Sequence, residues 1–187
     1  IKEILFFSLP LLGVSAIMMI IVWTDTLMLG YFKTAETVGF YNAALPLADL
    51  ISVILSSVNF LYVPIASQLF VRNEIEQMKR DFAALTKWLF LATLPILFIL
   101  LLFPETILNL LFGPQYIGAA TALQILVLGF FLNPATGPNY HAMIVIGKGR
   151  ELMWVYSTCT IMNIVLNYLL IPPLGIIGAA IASAFSV

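Results

Sequence analysis

The chain contains 187 residues with a net charge of −1, and 62% of them are apolar while only 9% are charged. A soluble domain carries about 25% charged residues, so this composition excludes a soluble globular protein and predicts an all-α, polytopic transmembrane helical bundle. Because no basic patch with interleaved aromatic residues occurs, nucleic acid is excluded as a partner, and the lipid bilayer is expected to surround the chain.

The predicted spans are apolar runs that are long enough for a helix to cross the bilayer, which takes about 20 residues. Their limits are 4–30, 38–70, 87–103, 118–147, 152–171 and, for a run that reaches the end of the sequence, 175–187. We therefore expect about five complete spans and a truncated sixth in one bundle over 1–187. A helix that stops within the bilayer leaves backbone groups unsatisfied, so we expect the chain to be part of a longer protein.

The charged segment 71–86 separates the second span from the third and is predicted to be an amphipathic helix at the membrane surface. Val71, Ile75, Met78 and Phe82 recur at helical spacing, opposite the charged residues of the segment. A docking surface for a partner is one interpretation of this pattern. We favour the other interpretation, an interfacial connector between two spans.

The positive residues of the connecting segments predict the orientation of the chain. With the N-terminus in the cytoplasm, seven of the eight Lys and Arg residues lie on the cytoplasmic side, and only Lys33 lies outside. Short cytoplasmic loops of membrane proteins carry such an excess of positive charge. We therefore expect a multi-pass protein of the plasma membrane with a cytoplasmic N-terminus.

A polar stripe follows one face of the second span. Its members, which are spaced by three, four and three residues, are Asp49, Ser52, Ser56 and Asn59. A carboxylate near the bilayer centre costs about 2.5–3.5 kcal/mol, unless it faces a water-filled cavity. Hydrogen bonding between neighbouring helices is the alternative role for the serines and for Asn59. We interpret the stripe as one wall of a substrate cavity.

The fourth and fifth spans carry further cavity candidates. Asn163 and Asn167 share a face of the fifth span, and cavity lining and hydrogen bonding between helices explain them equally well. In the fourth span, Asn133 precedes residues that predict a kink and hence a hinge. These hinge residues are Pro134, Gly137 and Pro138. Interrupted helices in transporters often lie on the substrate path, which makes Asn133 a cavity candidate.

Three titratable side chains within the spans are candidates for proton coupling, namely Asp25, Asp49 and His141. Asp25 lies near the outer end of its span, where a cavity carboxylate and a solvated headgroup-level carboxylate are both open interpretations. A packing histidine is the alternative for His141. Because the two aspartates lie toward one side of the membrane and His141 toward the other, no catalytic constellation is predicted. No cluster has metal-ligand spacing, and no cofactor is expected.

Short motifs occur in a fixed order and spacing along nearly the whole chain. They are Asp25-Thr-Leu-Met-Leu-Gly-Tyr31, Val38-Gly-Phe-Tyr-Asn-Ala-Ala44, Pro64-Ile-Ala-Ser67, Leu110-Leu-Phe-Gly113, Gln115-Tyr116, Ala119-Ala120, Leu123-Gln-Ile-Leu126, Gly147-Lys-Gly149, Asn163-Ile-Val-Leu-Asn167, Ile171-Pro172 and Gly175-Ile-Ile-Gly-Ala-Ala180. Together they resemble the opening of the second helical bundle in polysaccharide-export flippases of the multidrug/oligosaccharidyl-lipid/polysaccharide superfamily.

The resemblance implies two helical bundles around a central cavity that work by alternating access on a lipid-linked oligosaccharide or polysaccharide precursor. It also implies a partner for this chain, the missing first bundle of the same protein. Because no Lys or Arg lies inside a predicted span beyond Lys87 at the start of the third, a multidrug or metabolite exporter of the same fold is the alternative, and Asp49 would suit a cationic substrate. A membrane-embedded enzyme or a structural subunit is the third interpretation.

Overall fold

The computed structural model describes the backbone of residues 2–186 and the side chains of residue 9 and residues 11–186. Within this range the chain forms eight α-helices and a 3-10 turn at Pro114–Ala119, without a strand. In chain order the helices are α1 (Lys2–Phe32), α2 (Ala35–Val71), α3 (Ile75–Leu102), α4 (Pro104–Phe112), α5 (Ala120–Thr136), α6 (Asn139–Val145), α7 (Gly149–Leu174) and α8 (Ile176–Ser186).

Five segments of the described chain are long and apolar enough to cross a membrane. They are Leu11–Phe32, Ala35–Val71, Ile75–Leu102, Pro114–Val145 and Gly149–Leu174. This arrangement confirms the predicted all-α, polytopic bundle. The predicted sixth span corresponds to α8, which has 11 residues within the described range.

Residues 75–86 of the predicted connector 71–86 continue into the third span as one helix, α3, whereas Val71 ends α2 and residues 72–74 form the turn between the two helices. Neither Gly nor Pro occurs between Ile75 and Leu94, so nothing in the sequence interrupts the backbone hydrogen bonding there. The first turns of α3 are polar, and Lys79 pairs with Glu76 at 2.8 Å on their exposed surface. Residues 75–86 are therefore the polar beginning of α3.

Glycine and threonine residues set the short connections between the spans. The side chain of Thr34 caps α2 by accepting a hydrogen bond from the backbone N–H of Thr37 at 3.4 Å. Pro172 remains inside α7, and the chain turns only at Gly175, whose φ of 59° favours glycine. The predicted turn after the fifth span therefore begins later than the prolines suggest.

The helices pack in two groups that α8 joins. One group contains α1 and α7, the other contains α2, α3 and α5, and α8 contacts both α7 and α5. Gly129 of α5 lies directly against Ala184 of α8, and a Cβ atom at Gly129 would overlap the Cα and Cβ atoms of Ala184. Small residues allow helices in membranes to approach this closely. The largest buried apolar side chains of the core are Leu29, Tyr41, Ile51, Leu108, Leu123, Leu126 and Ile171.

Candidate functional site

A buried polar cluster lies where α1, α2, α7 and α8 meet. Its centre is Asp25, which is only 5% exposed. Asp25 Oδ1 accepts hydrogen bonds from Nδ2 of Asn167 at 2.6 Å and from Nδ2 of Asn163 at 3.2 Å. Asp25 Oδ2 accepts from the Tyr41 hydroxyl at 2.8 Å and from the Ser183 hydroxyl. We call these five residues the Asp25 cluster.

The donors of the Asp25 cluster are themselves held in place. The Nδ2 atom of Asn163 also donates to the Ser186 hydroxyl at 3.0 Å, and Asn167 Nδ2 donates to Asn163 Oδ1 at 3.1 Å. An ionised carboxylate offers about four lone-pair sites, and the cluster directs four donors at Asp25. Protonation of Asp25 would add a fifth hydrogen, so at least one of these bonds would have to break or reverse.

Helical spacing explains how the sequence builds the Asp25 cluster. Asn163 and Asn167 are four residues apart on α7, so they share the face that packs on α1. Ser183 and Ser186 are three residues apart on α8 and face the same place. The two asparagines are fully buried and bond to Asp25, which places them within the bundle.

The predicted stripe of α2 lies mainly on the exposed side of the helix. Asp49 and Ser56 are exposed, Ser52 is half-buried, and Asn59 is buried. Among the described residues, no hydrogen bond or ion pair involves the Asp49 carboxylate. The structure therefore presents an unpaired carboxylate on the outside of this bundle, in the middle of an apolar helix.

A cavity lies at the far end of the stripe, between α2 and α6. Its volume is about 470 Å³, and it is lined by Ser56, Asn59, Phe60, Val63, Pro64 and His141. Within the described part of the chain, Asn59 Oδ1 and His141 Nδ1 are buried without a hydrogen-bond partner. A rise of about 1.5 Å per residue places Asn59 roughly 27 Å along α2 from Tyr41. His141 therefore lies beside the stripe and far from the Asp25 cluster.

The predicted hinge residues lie where the fourth span is interrupted. Between α5 and α6, Gly137 adopts a φ of 88°, which ends α5. A Cβ atom at Gly137 would overlap the side chain of Thr86, so the interruption packs tightly against α3. Pro134 and Pro138 are buried at the same place, whereas Asn133 is exposed and belongs neither to the Asp25 cluster nor to the cavity lining.

Sequence reasoning missed three residues of the buried network, Tyr41, Ser183 and Ser186. The spacing of the two serines on one face of α8 is a usable signal, because polar residues in apolar helices usually face a partner. Tyr41 gave no signal, since a tyrosine near the end of a span is typical of an interfacial anchor.

Comparison with known proteins identifies a sequence family for this chain. The sequence model of the MatE family matches residues 10–169. This match confirms the resemblance carried by the motifs, since the family belongs to the multidrug/oligosaccharidyl-lipid/polysaccharide superfamily. No solved structure matches the chain.

Curated relatives from archaea and bacteria match most of the chain. An uncharacterized membrane protein of Methanocaldococcus jannaschii is 29% identical over 89% of the chain and 33% of its own length. A protein of Haloferax volcanii named "probable low-salt glycan biosynthesis flippase" is 27% identical over 88% of the chain and 35% of its own length. A teichuronic acid biosynthesis protein of Bacillus subtilis is 26% identical over 71% of the chain and 27% of its own length. The chain therefore spans about a third of the length of these relatives.

Proposed function

The chain belongs to the MatE family, and on that premise we propose that its parent protein is a flippase that exports lipid-linked oligosaccharide or polysaccharide precursors by alternating access. The observation that carries the proposal is the exposed polar stripe on α2, with Asp49 at its start. A carboxylate within a span is costly against lipid and is tolerated beside water or a polar substrate. The glycan-related names of two relatives support this class of substrate.

The stripe would form one wall of a central cavity, and a second bundle of the parent protein would form the other. Relatives about three times as long as this chain support such a second bundle. The motifs resemble the opening of the second bundle, so the missing partner would be the first. The charge distribution supports a cytoplasmic N-terminus for this chain in the plasma membrane.

The Asp25 cluster would couple transport to protons. Protonation of Asp25 changes the hydrogen bonds that hold α1 against α7, α8 and α2, so it would shift the packing of four helices at once. The interruption around Gly137 would let α6 move relative to α5 as the bundle changes state. Asp49 and His141 would act nearer to the substrate than Asp25.

A multidrug or metabolite exporter of the same fold is the second candidate. The observation that favours it is the unpaired carboxylate of Asp49, because an exposed carboxylate without a basic partner attracts cationic substrates. The two candidates differ in substrate charge, so one assay with both substrate classes separates them.

The test is transport by the full-length parent protein in reconstituted vesicles, with a lipid-linked oligosaccharide and an organic cation as alternative substrates. We expect oligosaccharide transport by the wild type and a loss of at least about tenfold in Asp49→Asn and Asp49→Ala. Glu36→Gln is the matched control, because it removes an exposed carboxylate from α2 outside the stripe, and it should transport normally.

The same vesicles test the coupling role of Asp25. Asp25→Asn keeps the size of the side chain but replaces the carboxyl group with an amide that cannot carry a proton between states, so a pH gradient should no longer accelerate transport. Transport of the cation alone would overturn the flippase proposal in favour of the multidrug exporter. Normal transport by both Asp49 variants would show that the stripe is not a cavity wall.

A further inference from the structure

We propose that α6 is a gate, and that a hydrogen bond from His141 Nδ1 to Asn59 Oδ1 closes it against α2 in a second conformational state of the bundle. This inference rests on the proposed function and deepens it, because alternating access needs an element that closes the substrate path at one end. The gate would act at the end of the bundle where α6 is followed by Lys148, opposite to the end that contains Lys33.

The packing of α6 is loose. Among the helices of the described chain, α6 alone has no buried residue. A cavity lies on each side of it, one of about 470 Å³ that His141 lines and one of about 430 Å³ that Ile146 lines. Segments with few buried contacts move at a lower free-energy cost than the core of a fold. The short helix α6 is therefore the segment of the fourth span that can move most easily.

Glycines with positive φ lie on both sides of α6. Gly137 has a φ of 88° and Gly147 a φ of 77°. A Cβ atom at Gly137 would overlap the side chain of Thr86, so this glycine is held against α3, whereas no atom lies within 4 Å of a Cβ position at Gly147. Glycine tolerates large changes of φ and ψ. The helix can therefore rotate about its Gly137 end, and its Gly147 end is free to follow.

Buried polar atoms without a partner concentrate where α6 meets α2. In the described part of the chain four such side-chain atoms occur, and three of them are Asn59 Oδ1, the Tyr62 hydroxyl oxygen and His141 Nδ1. These atoms are buried beyond the reach of a water molecule, so neither water nor a ligand can bond to them in this state. Burying polar groups without hydrogen bonds raises the free energy of a state. A state that pairs them is therefore favoured locally.

Complementary chemistry selects the pair that closes the gate. Asn59 Oδ1 only accepts a hydrogen bond, and His141 Nδ1 donates one when it carries the ring proton. Both residues line the same cavity, so a movement of α6 into this cavity brings His141 toward Asn59. The other hydroxyl of the lining belongs to Ser56 and already donates to the Ser52 carbonyl at 3.0 Å. His141 is thus the available donor in this lining.

Tyr62 is the alternative donor to Asn59, because it follows three residues later on α2. Its ring packs on Phe82 with the ring centroids 6.3 Å apart, and it lines the other cavity beside α6. A bond from Tyr62 to Asn59 would lie within α2 and would not depend on the position of α6. Substituting Tyr62 and His141 separately therefore distinguishes the two donors.

The test is fluorine NMR on the full-length parent protein in lipid nanodiscs without substrate. A trifluoromethyl thiol label is attached to Phe60→Cys in a cysteine-free background that includes Cys159→Ala. Phe60 is 83% exposed and lines the cavity that the gate would close. Leu61→Cys carries the control label, because Leu61 is 67% exposed and does not line that cavity. We expect two resonances, open and closed, from the label at position 60 and one from the label at position 61.

Substitutions then test the hydrogen bond. In the Phe60→Cys background, His141→Phe and Asn59→Leu should each lower the ratio of closed to open state about two- to tenfold, which is the effect of one neutral hydrogen bond. The double variant should lower the ratio no further than one single variant does, because the second substitution removes a partner whose bond is already absent. A role in packing alone would give additive losses.

Two variants are matched controls for the loss of a hydroxyl group. The Ser57 hydroxyl donates to the Val53 carbonyl at 2.9 Å, and Ser57 does not line the cavity, so Ser57→Ala should leave the ratio unchanged. Tyr62→Phe removes the alternative donor, and it should also leave the ratio unchanged.

Three results would overturn the inference. They are a single resonance from the label at position 60, additive losses in the double variant, and a loss of the closed state in Tyr62→Phe. The transport assay keeps this failure separate from failure of the proposed function. Oligosaccharide transport with a single resonance would remove the gate alone, whereas the expected resonances and losses without oligosaccharide transport would remove the flippase function alone.

Discussion

Two buried polar residues of the bundle differ in how their hydrogen bonds are satisfied. Asn163 bonds to Asp25, to Asn167 and to Ser186, so its amide supports a buried carboxylate. Asn59 has a buried amide oxygen without a partner in the described chain. Removing a hydrogen-bond partner of a buried charge lowers the free energy of unfolding. Replacing a buried polar atom that has no partner with an apolar group leaves it nearly unchanged or raises it.

We therefore expect Asn163→Leu and Asn59→Leu to change stability very differently, although the substitution is the same. Asn163→Leu should lower the free energy of unfolding by about 2–4 kcal/mol, because Asp25 stays buried with fewer donors. Asn59→Leu should stay within about 1 kcal/mol of the wild type. Thermal unfolding of the purified parent protein in one detergent measures both. Equal losses would contradict the difference in their hydrogen bonding.

The sequence identified most polar residues of the Asp25 cluster as candidates, but it could not show which of them contact one another. Asp25, Asn163 and Asn167 stand out because polar residues are rare in apolar spans. Their pairing depends on how α1 packs against α7, and Asp25 and Ser183 are 158 positions apart in the chain. Helical periodicity orders residues within one helix and carries no information about contacts between helices.

Among the elements, the contact between α5 and α8 depends on a residue without a side chain. Gly129 lies against the backbone of Ala184, so any Cβ atom there must push the two helices apart. Gly39 of α2 has no neighbouring atom within 4 Å of the position that a Cβ would take. Substituting alanine at each of these two glycines therefore distinguishes the effect of helix packing on stability from the effect of helix propensity.

Gly129→Ala should destabilise the bundle by about 1–3 kcal/mol, as overpacking of a tight contact does. Gly39→Ala should instead stabilise α2 by up to about 1 kcal/mol, since alanine favours a helix over glycine and nothing obstructs the methyl group. Denaturant titration of the two variants measures whether each one is more or less stable than the wild type. A neutral Gly129→Ala would mean that α8 does not pack on α5 this closely.

The sequence predicted most of the elements because lipid imposes a minimum length on each apolar run. It divided the residues of α3 between a surface connector and a span, because the charged residues before Lys87 are typical of an interfacial helix. The absence of a helix breaker between Ile75 and Leu94 was the signal for one continuous helix. The interruption near Gly137 was predictable because Gly and Pro act on the backbone locally.

At the scale of the whole molecule, the charged residues concentrate at the ends of the spanning helices. The connection between α1 and α2 contains Lys33, which donates to the Pro172 carbonyl at 2.8 Å and joins this end of α1 to the end of α7. The opposite end contains the connection between α2 and α3 and the polar beginning of α3. The bundle therefore has two chemically distinct ends.

Single cysteines at the two ends should react differently in intact cells that express the parent protein. In a cysteine-free background that includes Cys159→Ala, a membrane-impermeant maleimide should label Ala35→Cys, at the start of α2, but not Glu74→Cys, before α3. The physical reason is the excess of Lys and Arg at the second end. Permeabilised cells should label both variants. Labelling of Glu74→Cys alone in intact cells would reverse the orientation.

The Asp25 cluster also has a consequence for biogenesis. Of the four donors to Asp25, only Tyr41 follows closely, after 16 positions. Asp25 enters the membrane long before the other three donors exist, because Asn163, Asn167 and Ser183 follow 138, 142 and 158 positions later. At about 5–20 residues per second, the ribosome needs roughly 8–30 s to supply them. During this interval Tyr41 is the one native donor that has been synthesised, so a temporary polar partner would lower the cost of placing the Asp25 carboxyl group in lipid. The complete set of donors around Asp25 can therefore form only after α8 has been synthesised.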